Sequence, residues 1–324
     1  QGRDIRISED RIEGYRNFAN KIWNAARLVL SNLDGFDPAL AKKTPPALAD
    51  VWIQSRLAAA VAEARTALKK YRFSDAASAL YQFLWHEFCD WYLEIAKLSL
   101  YQPESPGRRA RTQATLVHVL EATLRLLHPF MPFITEELWQ RLPHKGDTIM
   151  QAPYPRPSRK DRNADAERQM TAVMDLVTAV RNIRGEMRIA PGAALTATVR
   201  PRPDAADLFA ANVALIDALA RVRLTVDPRA ARPRSSALAV IGGSELYVEL
   251  AGVVDPAAER QRIEKEIVRV DERIGFAKAK LAKPDFAERA PAEIVAKERE
   301  RLAEQETVRA KLVASLGWFD DGGR

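Results

Sequence analysis

The side chains able to do covalent or metal chemistry are few. His86 and Cys89 lie three residues apart in a stretch of helical period, the spacing of half a metal site or of a thiol–imidazole pair. Cys89 is the single cysteine, and nothing near it in sequence supplies an orienting third group. The plainer reading is a core helix in which the thiol acts as a small hydrophobe. His118, His128 and His144 show no ligand spacing, and there is no Gly-rich phosphate loop, G-x-S-x-G or H-E-x-x-H motif. Gly242-Gly243 reads as a hairpin turn, not an anion cradle. The residues thus present no catalytic set and no metal ligand set.

Polar recognition chemistry is better represented. Asn17, Lys21 and Asn24 recur at i, i+4 and i+7, which puts them within about 60° of one another on a helix, opposite an apolar stripe. Asn is a poor helix former, so helix propensity does not explain three of them on one helix. Arg16, Asn20 and Arg27 flank the set. Amides offer donor and acceptor to base edges, and Lys and Arg hold phosphate. The competing reading is an ordinary solvated face. Further basic clusters are Arg108-Arg109 with Arg111, and Arg181, Arg184 and Arg188. Trp85, Trp91 and Trp139 fall at core spacing and read as packing.

Composition agrees with this bias. The formal charge is +7 and the pI about 9.5, a balance that permits nucleic-acid binding without requiring it. One cysteine cannot form an internal disulfide or a structural zinc site, which fits a reducing, cytoplasmic compartment. No apolar run approaches the roughly 20 residues of a membrane span. The chain opens Gln1-Gly2-Arg3 without Met or a signal pattern, so it reads as a piece of something longer.

The elements that must carry these residues fall into three regimes. Residues 8 to about 185 read as long amphipathic helices: a mainly α bundle. Ser8 is expected to cap the first, whose stripe runs Ile12, Tyr15, Phe18, Ala19, Ile22, Ala26, Val29 and ends by Gly35 and Pro38. Thr44-Pro45-Pro46 precedes the second, Ser74 is expected to cap the third, and Gln102–Arg109 reads as a loop before the fourth. The break His128-Pro129-Phe130-Met131-Pro132 leads to a short helix capped by Thr135, and one more helix runs from about Asn163 to Arg184. From about 190 to 252 the period becomes two, giving a small α/β (β-α-β-β) unit with a hairpin at Gly242-Gly243. From Pro256, Ile263, Ile267, Val270, Ile274, Ala277 and Leu281 form a heptad seam. After Lys283-Pro284-Asp285-Phe286, Pro291 can open a return helix with Ile294, Val295, Leu302, Val308, Leu312 and Leu316. An antiparallel two-helix coiled-coil arm results. The expected division is a bundle over 1–188, a junction over 189–254, an arm over 255–316 and a tail over 317–324.

Several of these segments together resemble the class I valyl-tRNA synthetases. Gly14-Tyr15-Arg16-Asn17-Phe18-Ala19-Asn20-Lys21-Ile22-Trp23-Asn24-Ala25 is similar to the opening helix of their anticodon-binding domain. Phe88-Cys89-Asp90-Trp91-Tyr92-Leu93-Glu94, the run Leu127–Trp139, and Val180-Arg181-Asn182-Ile183-Arg184-Gly185-Glu186 with Pro191 resemble its later helices. Lys280-Leu281 through Pro284-Asp285-Phe286 to Ala290-Pro291 and Val295 resembles the valyl-type arm, and Gln1–Ile7 resembles the stretch that follows the KMSKS signature. Neither HIGH nor KMSKS is in the chain.

The resemblance implies the C-terminal part only of a valine–tRNA ligase. It implies that the bundle meets the anticodon and the arm meets the outer corner of valine tRNA, where the D and T loops join. It implies that ATP with Mg serves only the full-length enzyme, so this part has no cofactor, no catalytic residue and no activity alone. The partner implied is valine tRNA, with no membrane and no DNA, and the chain is expected to be a monomer. The anticodon-facing set is then Asn17, Lys21 and Asn24, with Arg16, Asn20 and Arg27 beside them. Arg108, Arg109, Arg181, Arg184 and Arg188 become stem contacts. Arg269, Arg273, Lys278, Lys280 and Lys283 become phosphate contacts on the arm. Leu28 stands where family members often place an aromatic, so a stacking platform is missing there. The single cysteine disfavours the zinc module of many isoleucyl enzymes, and the arm differs from the compact ending of leucyl enzymes. Outside this class, the rivals are a helical adaptor whose hairpin binds protein and an intact enzyme with an unusual site.

Overall fold

A computed structural model describes residues 8–190, 192–282 and 292–320. The chain divides into two compact units between Thr171 and Ala172. No helix among the described residues is long and apolar enough to cross a membrane.

The first unit is helical: α1 Glu9–Leu30, α2 Pro38–Lys43, α3 Leu48–Lys69, α4 Phe73–Gln82, a π-helical stretch Phe83–Tyr92, α5 Leu93–Tyr101, α6 Pro106–Leu127 and α7 Pro132–Trp139. The division from the second unit falls within α8, Ala164–Glu186. Ile22, Ile53, Leu80, Leu84, Leu116 and Leu120 are buried in its core. Helix α6 packs against α2 and α3, and α1 against the π-helical stretch, α6 and α7. The approach of α6 to α2 depends on Gly107, where a Cβ would lie 2.5 Å from Oγ1 of Thr44.

Several boundaries differ from the sequence expectation. Ser8 stands at the N-cap of α1 but its side chain makes no capping bond. Ile12 and Tyr15 are exposed rather than buried, because the first turns of α1 have no neighbour on that side among the described residues. Helix α1 ends at Leu30, and Pro38 opens α2, with Asp37 capping Ala39 and Leu40. The third helix starts at Phe73 after Arg72, so Ser74 lies inside it. Gln102–Arg109 is not all loop: Ser105 accepts from the Arg108 amide and α6 begins at Pro106. Thr135 is no cap. Pro132 opens α7, and Thr135 is buried, with Oγ1 donating to Met131 O at 2.8 Å. The last helix of the run begins close to its expected start, at Ala164, with Asn163 Oδ1 accepting from the Ala166 amide.

The π-helical stretch was not foreseen. Its i→i+5 bonding changes which residues share a face. In an α-helix Trp85 and Asp90 would point about 140° apart. Here they face α1 together.

In the second unit, strands β1 Leu195–Arg200, β2 Val222–Val226, β3 Ser236–Ile241 and β4 Ser244–Glu249 form a sheet of order β2-β1-β4-β3. The β1–β2 pair is parallel and is joined through α9 Ala206–Ala211 and α10 Val213–Ala220, two short helices where the sequence suggested one. The other pairs are antiparallel, and Gly242 (φ 53°) and Gly243 (φ 86°) supply the two positive φ values of the β3–β4 hairpin.

The arm is α11 Pro256–Leu281 and α12 Ala292–Asp320, which pack on each other. Late residues of α11 meet early residues of α12, as an antiparallel pair requires: Lys280 with Glu298 at 2.8 Å, then Lys278 with Glu306 at 2.8 Å and Asp271 with Arg309 at 2.5 Å. Ile263, Val270, Ile274 and Ala277 are buried at the seam as read. Ile294 and Val308 are exposed instead, because the α12 seam runs through Val295, Leu302 and Gln305. Helix α12 continues to Asp320, through the first half of the expected tail. Pro191 and residues 283–291, Lys283 among them, lie outside the described residues.

Candidate nucleic-acid interface

Helix α1 owes its position to Ile22, Ala25, Ala26 and Val29, all buried on one side. On the other side Arg16, Asn17, Asn20, Asn24 and Arg27 are exposed. At 3.6 residues per turn these five span an arc of roughly 100° centred near Asn20. Asn17, Asn20, Asn24 and Arg27 make no side-chain hydrogen bond or ion pair among the described residues, and Arg16 pairs only with Glu13, at 2.8 Å. Donors and acceptors therefore stand free along about three turns of helix.

Lys21 is not on that open face. It is half-buried, with Nζ 2.7 Å from Asp90 Oδ1 and 4.7 Å from the centre of the Trp85 ring. The second Asp90 oxygen lies 3.2 Å from His86 Nδ1. So His86 is engaged by a carboxylate, not by Cys89, and burial pushes the Cys89 thiol up to about 12. The bland reading of that pair holds.

Beside Lys21 runs an aromatic ladder that sequence reasoning treated only as packing. Phe18 and Tyr81 centroids are 5.0 Å apart, Tyr81 and Trp85 5.4 Å, Phe18 and Trp85 6.2 Å. A second aromatic was missed outright. Trp23 is 39% exposed on the rim of the α1 face, with the Arg141 guanidinium 5.7 Å from its ring. Its spacing from Arg16 and Arg27, i+7 and i−4, was the available signal.

The remaining basic residues divide by what they touch. Arg108 is committed to the fold: it pairs with buried Asp50, which also accepts from Tyr92 Oη at 2.7 Å and the Ala47 amide at 2.9 Å. Arg109 keeps its Nε buried without a partner among the described residues. Arg181 donates to Leu219 O at 2.8 Å and Arg184 to Arg221 O at 2.8 Å. Arg188 is exposed. On the arm, Lys278 and Lys280 hold the cross-helix pairs given above, Arg269 lies 3.7 Å from Glu266, and Arg273 is exposed with no partner among the described residues. Lys283 lies outside the described residues.

Two family models match this chain in order. The anticodon-binding domain of tRNA ligase matches residues 50–199, and the valyl tRNA synthetase tRNA binding arm matches residues 255–318. The chain is similar to the C-terminal part of valyl-tRNA synthetases. The valine–tRNA ligase of Geobacter sulfurreducens is 46% identical over 98% of this chain. That of Syntrophotalea carbinolica is 43% identical over 94% of it, and that of Nitratidesulfovibrio vulgaris 44% over 99%. The chain spans 35–36% of the length of these valyl-tRNA synthetase relatives, matching their C-terminal part. The arm match is to the valyl type, which disfavours the isoleucyl, leucyl and protein-adaptor readings. Helix α1 precedes the first matched segment, yet the 98% and 99% alignments leave room to omit only a few residues.

Proposed function

We propose that this chain is the tRNA-holding part of a valine–tRNA ligase. It receives the anticodon loop of valine tRNA on the α1 face of the bundle and the outer corner of the same tRNA on the arm. The whole protein attaches valine to that tRNA with ATP and Mg, acting as a monomer in the cytoplasm. The observation that carries the reading is the α1 face, where three asparagines stand exposed and unpartnered between Arg16 and Arg27. A single-stranded loop presents splayed bases whose edges amides can pair with, while a stem is gripped mainly through phosphate and 2′-hydroxyl.

Roles follow from accessibility. Asn17, Asn20 and Asn24 meet bases, Arg16 and Arg27 meet flanking phosphates, and Trp23 offers a ring to a splayed base. Lys21 acts from beneath, holding the ladder that supports the face. Arg109, Arg181, Arg184 and Arg188 lie toward the stem, and Arg269, Arg273 and Lys283 take phosphates on the arm, with Lys278 and Lys280 weakened in that role by their ion pairs. Binding is titrated for valine tRNA and a control tRNA at low and moderate salt. Preference for valine tRNA, falling steeply with salt, is expected. Equal binding of both tRNAs would remove the anticodon role, and no binding at low salt would remove the reading altogether.

A further inference from the structure

The turn from α3 to α4 reads Lys69-Lys70-Tyr71-Arg72-Phe73. Its backbone has a plain cause. The Tyr71 amide donates to Leu68 O at 3.0 Å and the Arg72 amide to Ala67 O at 2.9 Å, the paired bonds that close a helix through one left-handed residue. That residue is Tyr71, with φ 55°. Glycine or asparagine usually stands there, because the left-handed conformation crowds a Cβ against the following carbonyl. Packing could offset the cost, but the Tyr71 side chain is 82% exposed, and its hydroxyl makes no hydrogen bond among the described residues. Its ring stands edge to face with that of Phe73, centroids 6.4 Å apart and planes at 81°, and Phe73 is itself 57% exposed. Such a pair leaves ring surface open to a third flat group. A disfavoured backbone held by an exposed side chain points to a task other than folding.

The charges beside the rings define the partner. Lys69, Lys70 and Arg72 are exposed, and neither lysine has an ion pair or hydrogen bond through its side chain among the described residues. Arg72 lies 3.3 Å from Asp75, the one acid between residues 64 and 75, and both are about half exposed, so solvent screens that pair. Rings set among cations suit a chain that carries flat faces and regular negative charge, as a single-stranded nucleic acid does. An apolar protein surface would instead desolvate the same cations without pairing them. The turn is also separate from the α1 face. Helix α4 starts at Phe73 and reaches Tyr81, the ring partner of Phe18, eight residues or about 12 Å further on.

We propose that the α3–α4 turn is a base-stacking contact for an unpaired nucleotide of the tRNA. Tyr71, braced by Phe73, takes the face of the base, and Lys69 and Lys70 take the flanking phosphates. Every base has a stacking face, so the contact strengthens binding of any tRNA and reads no sequence. It rests on the tRNA reading above and engages a different nucleotide from those at Asn17, Asn20 and Asn24.

Two variants of the 324-residue chain test it. Tyr71→Asn removes the ring and supplies a residue suited to the left-handed backbone, so the melting temperature should hold or rise. Its affinity should fall about ten-fold for valine tRNA and control tRNA alike, with the slope of log K against log salt unchanged. Lys69→Gln with Lys70→Gln should make that slope shallower by roughly one to two. If Tyr71→Asn melts below the parent, Tyr71→Gly takes its place. A loss of affinity in the lysine variant alone would overturn the stacking role of Tyr71. Unchanged affinity in both variants, in a preparation where Asn20→Ala with Asn24→Ala still weakens valine tRNA, would overturn the turn contact and leave the tRNA reading intact. A parent chain that binds no tRNA at low salt would overturn both.

Discussion

Lys21 and Asp90 meet across the joint between α1 and the π-helical stretch, Nζ to Oδ1 at 2.7 Å, with the ammonium over the Trp85 ring. Both side chains are about one-third exposed, 32% and 38%, so solvent screens the pair and its contribution is modest. An exposed pair adds roughly 0.2–1 kcal/mol and a cation–π contact about 0.5–1 kcal/mol. Lys21→Ala and Asp90→Ala should each cost about 1 kcal/mol by urea unfolding, with a coupling of about 0.5 kcal/mol in the double-mutant cycle. Strictly additive losses would mean the contact contributes nothing.

Arg108 predicts a far larger effect. Asp50 is 2% exposed and has the Arg108 guanidinium as its ion-pair partner. Removing one member of a buried pair leaves an uncompensated charge, a loss of about 3–5 kcal/mol. Arg108→Ala should lower the unfolding midpoint sharply, while Arg109→Ala, with no such partner, should change it by about 1 kcal/mol or less. A small loss for Arg108→Ala would return that residue to the set available for RNA.

These two residues also mark how far the sequence could be read. The helices, the β-α-β-β unit and the α11 seam follow from periodicity and turn residues, because burial of one face leaves a local trace at every third or fourth position. The roles of Lys21 and Arg108 leave none. Their partners, Asp90 and Asp50, are 69 and 58 residues away, and a cation facing a carboxylate reads like one facing phosphate. The π-helical register that turns Trp85 and Asp90 to the same side is likewise invisible to a 3.6-residue template. The α1 face was legible in composition but off-centre, since the pattern was anchored on Lys21, whereas burial centres it on Asn20.

Acid should weaken the α3–α8 joint. Burial alone would raise the Glu167 carboxyl, but the Ser55 hydroxyl, Arg56 and Arg162 outweigh it and hold it below its ordinary 4.5. A carboxyl depressed in the folded state stabilises fully above its unfolded value, and that stability is lost as pH falls through the folded value. Glu167→Gln should therefore be less stable than the parent at pH 7, with the two melting curves converging as pH falls below about 4.5. A constant gap across that range would mean that titration of Glu167 is not coupled to folding.

Gln305 should weaken the arm. It lies on the α12 seam three residues after Leu302, and its Oε1 is buried without a hydrogen-bond partner among the described residues. A buried unsatisfied acceptor costs about 1–3 kcal/mol. Gln305→Leu should raise the stability of the helical hairpin by about 1 kcal/mol, read from thermal unfolding followed by circular dichroism. A loss of stability instead would mean that the amide fixes the register of the two helices, the role a polar seam residue plays in coiled coils.

The α1 face gives the prediction nearest to function. Asn20→Ala with Asn24→Ala removes two amides from an exposed helix surface and replaces them with the strongest helix former, so the melting temperature should hold or rise. Neither amide is charged, so the salt dependence of tRNA binding should keep its slope, which reports phosphate contacts alone. What should change is discrimination: affinity for valine tRNA is expected to fall about ten-fold or more, with affinity for a control tRNA unaltered, since each good amide–base pairing is worth about 1–3 kcal/mol. If the asparagine variant flattened the slope instead, the helix would be acting by placing Arg16 and Arg27 on the backbone, and base recognition would have to lie elsewhere on the bundle.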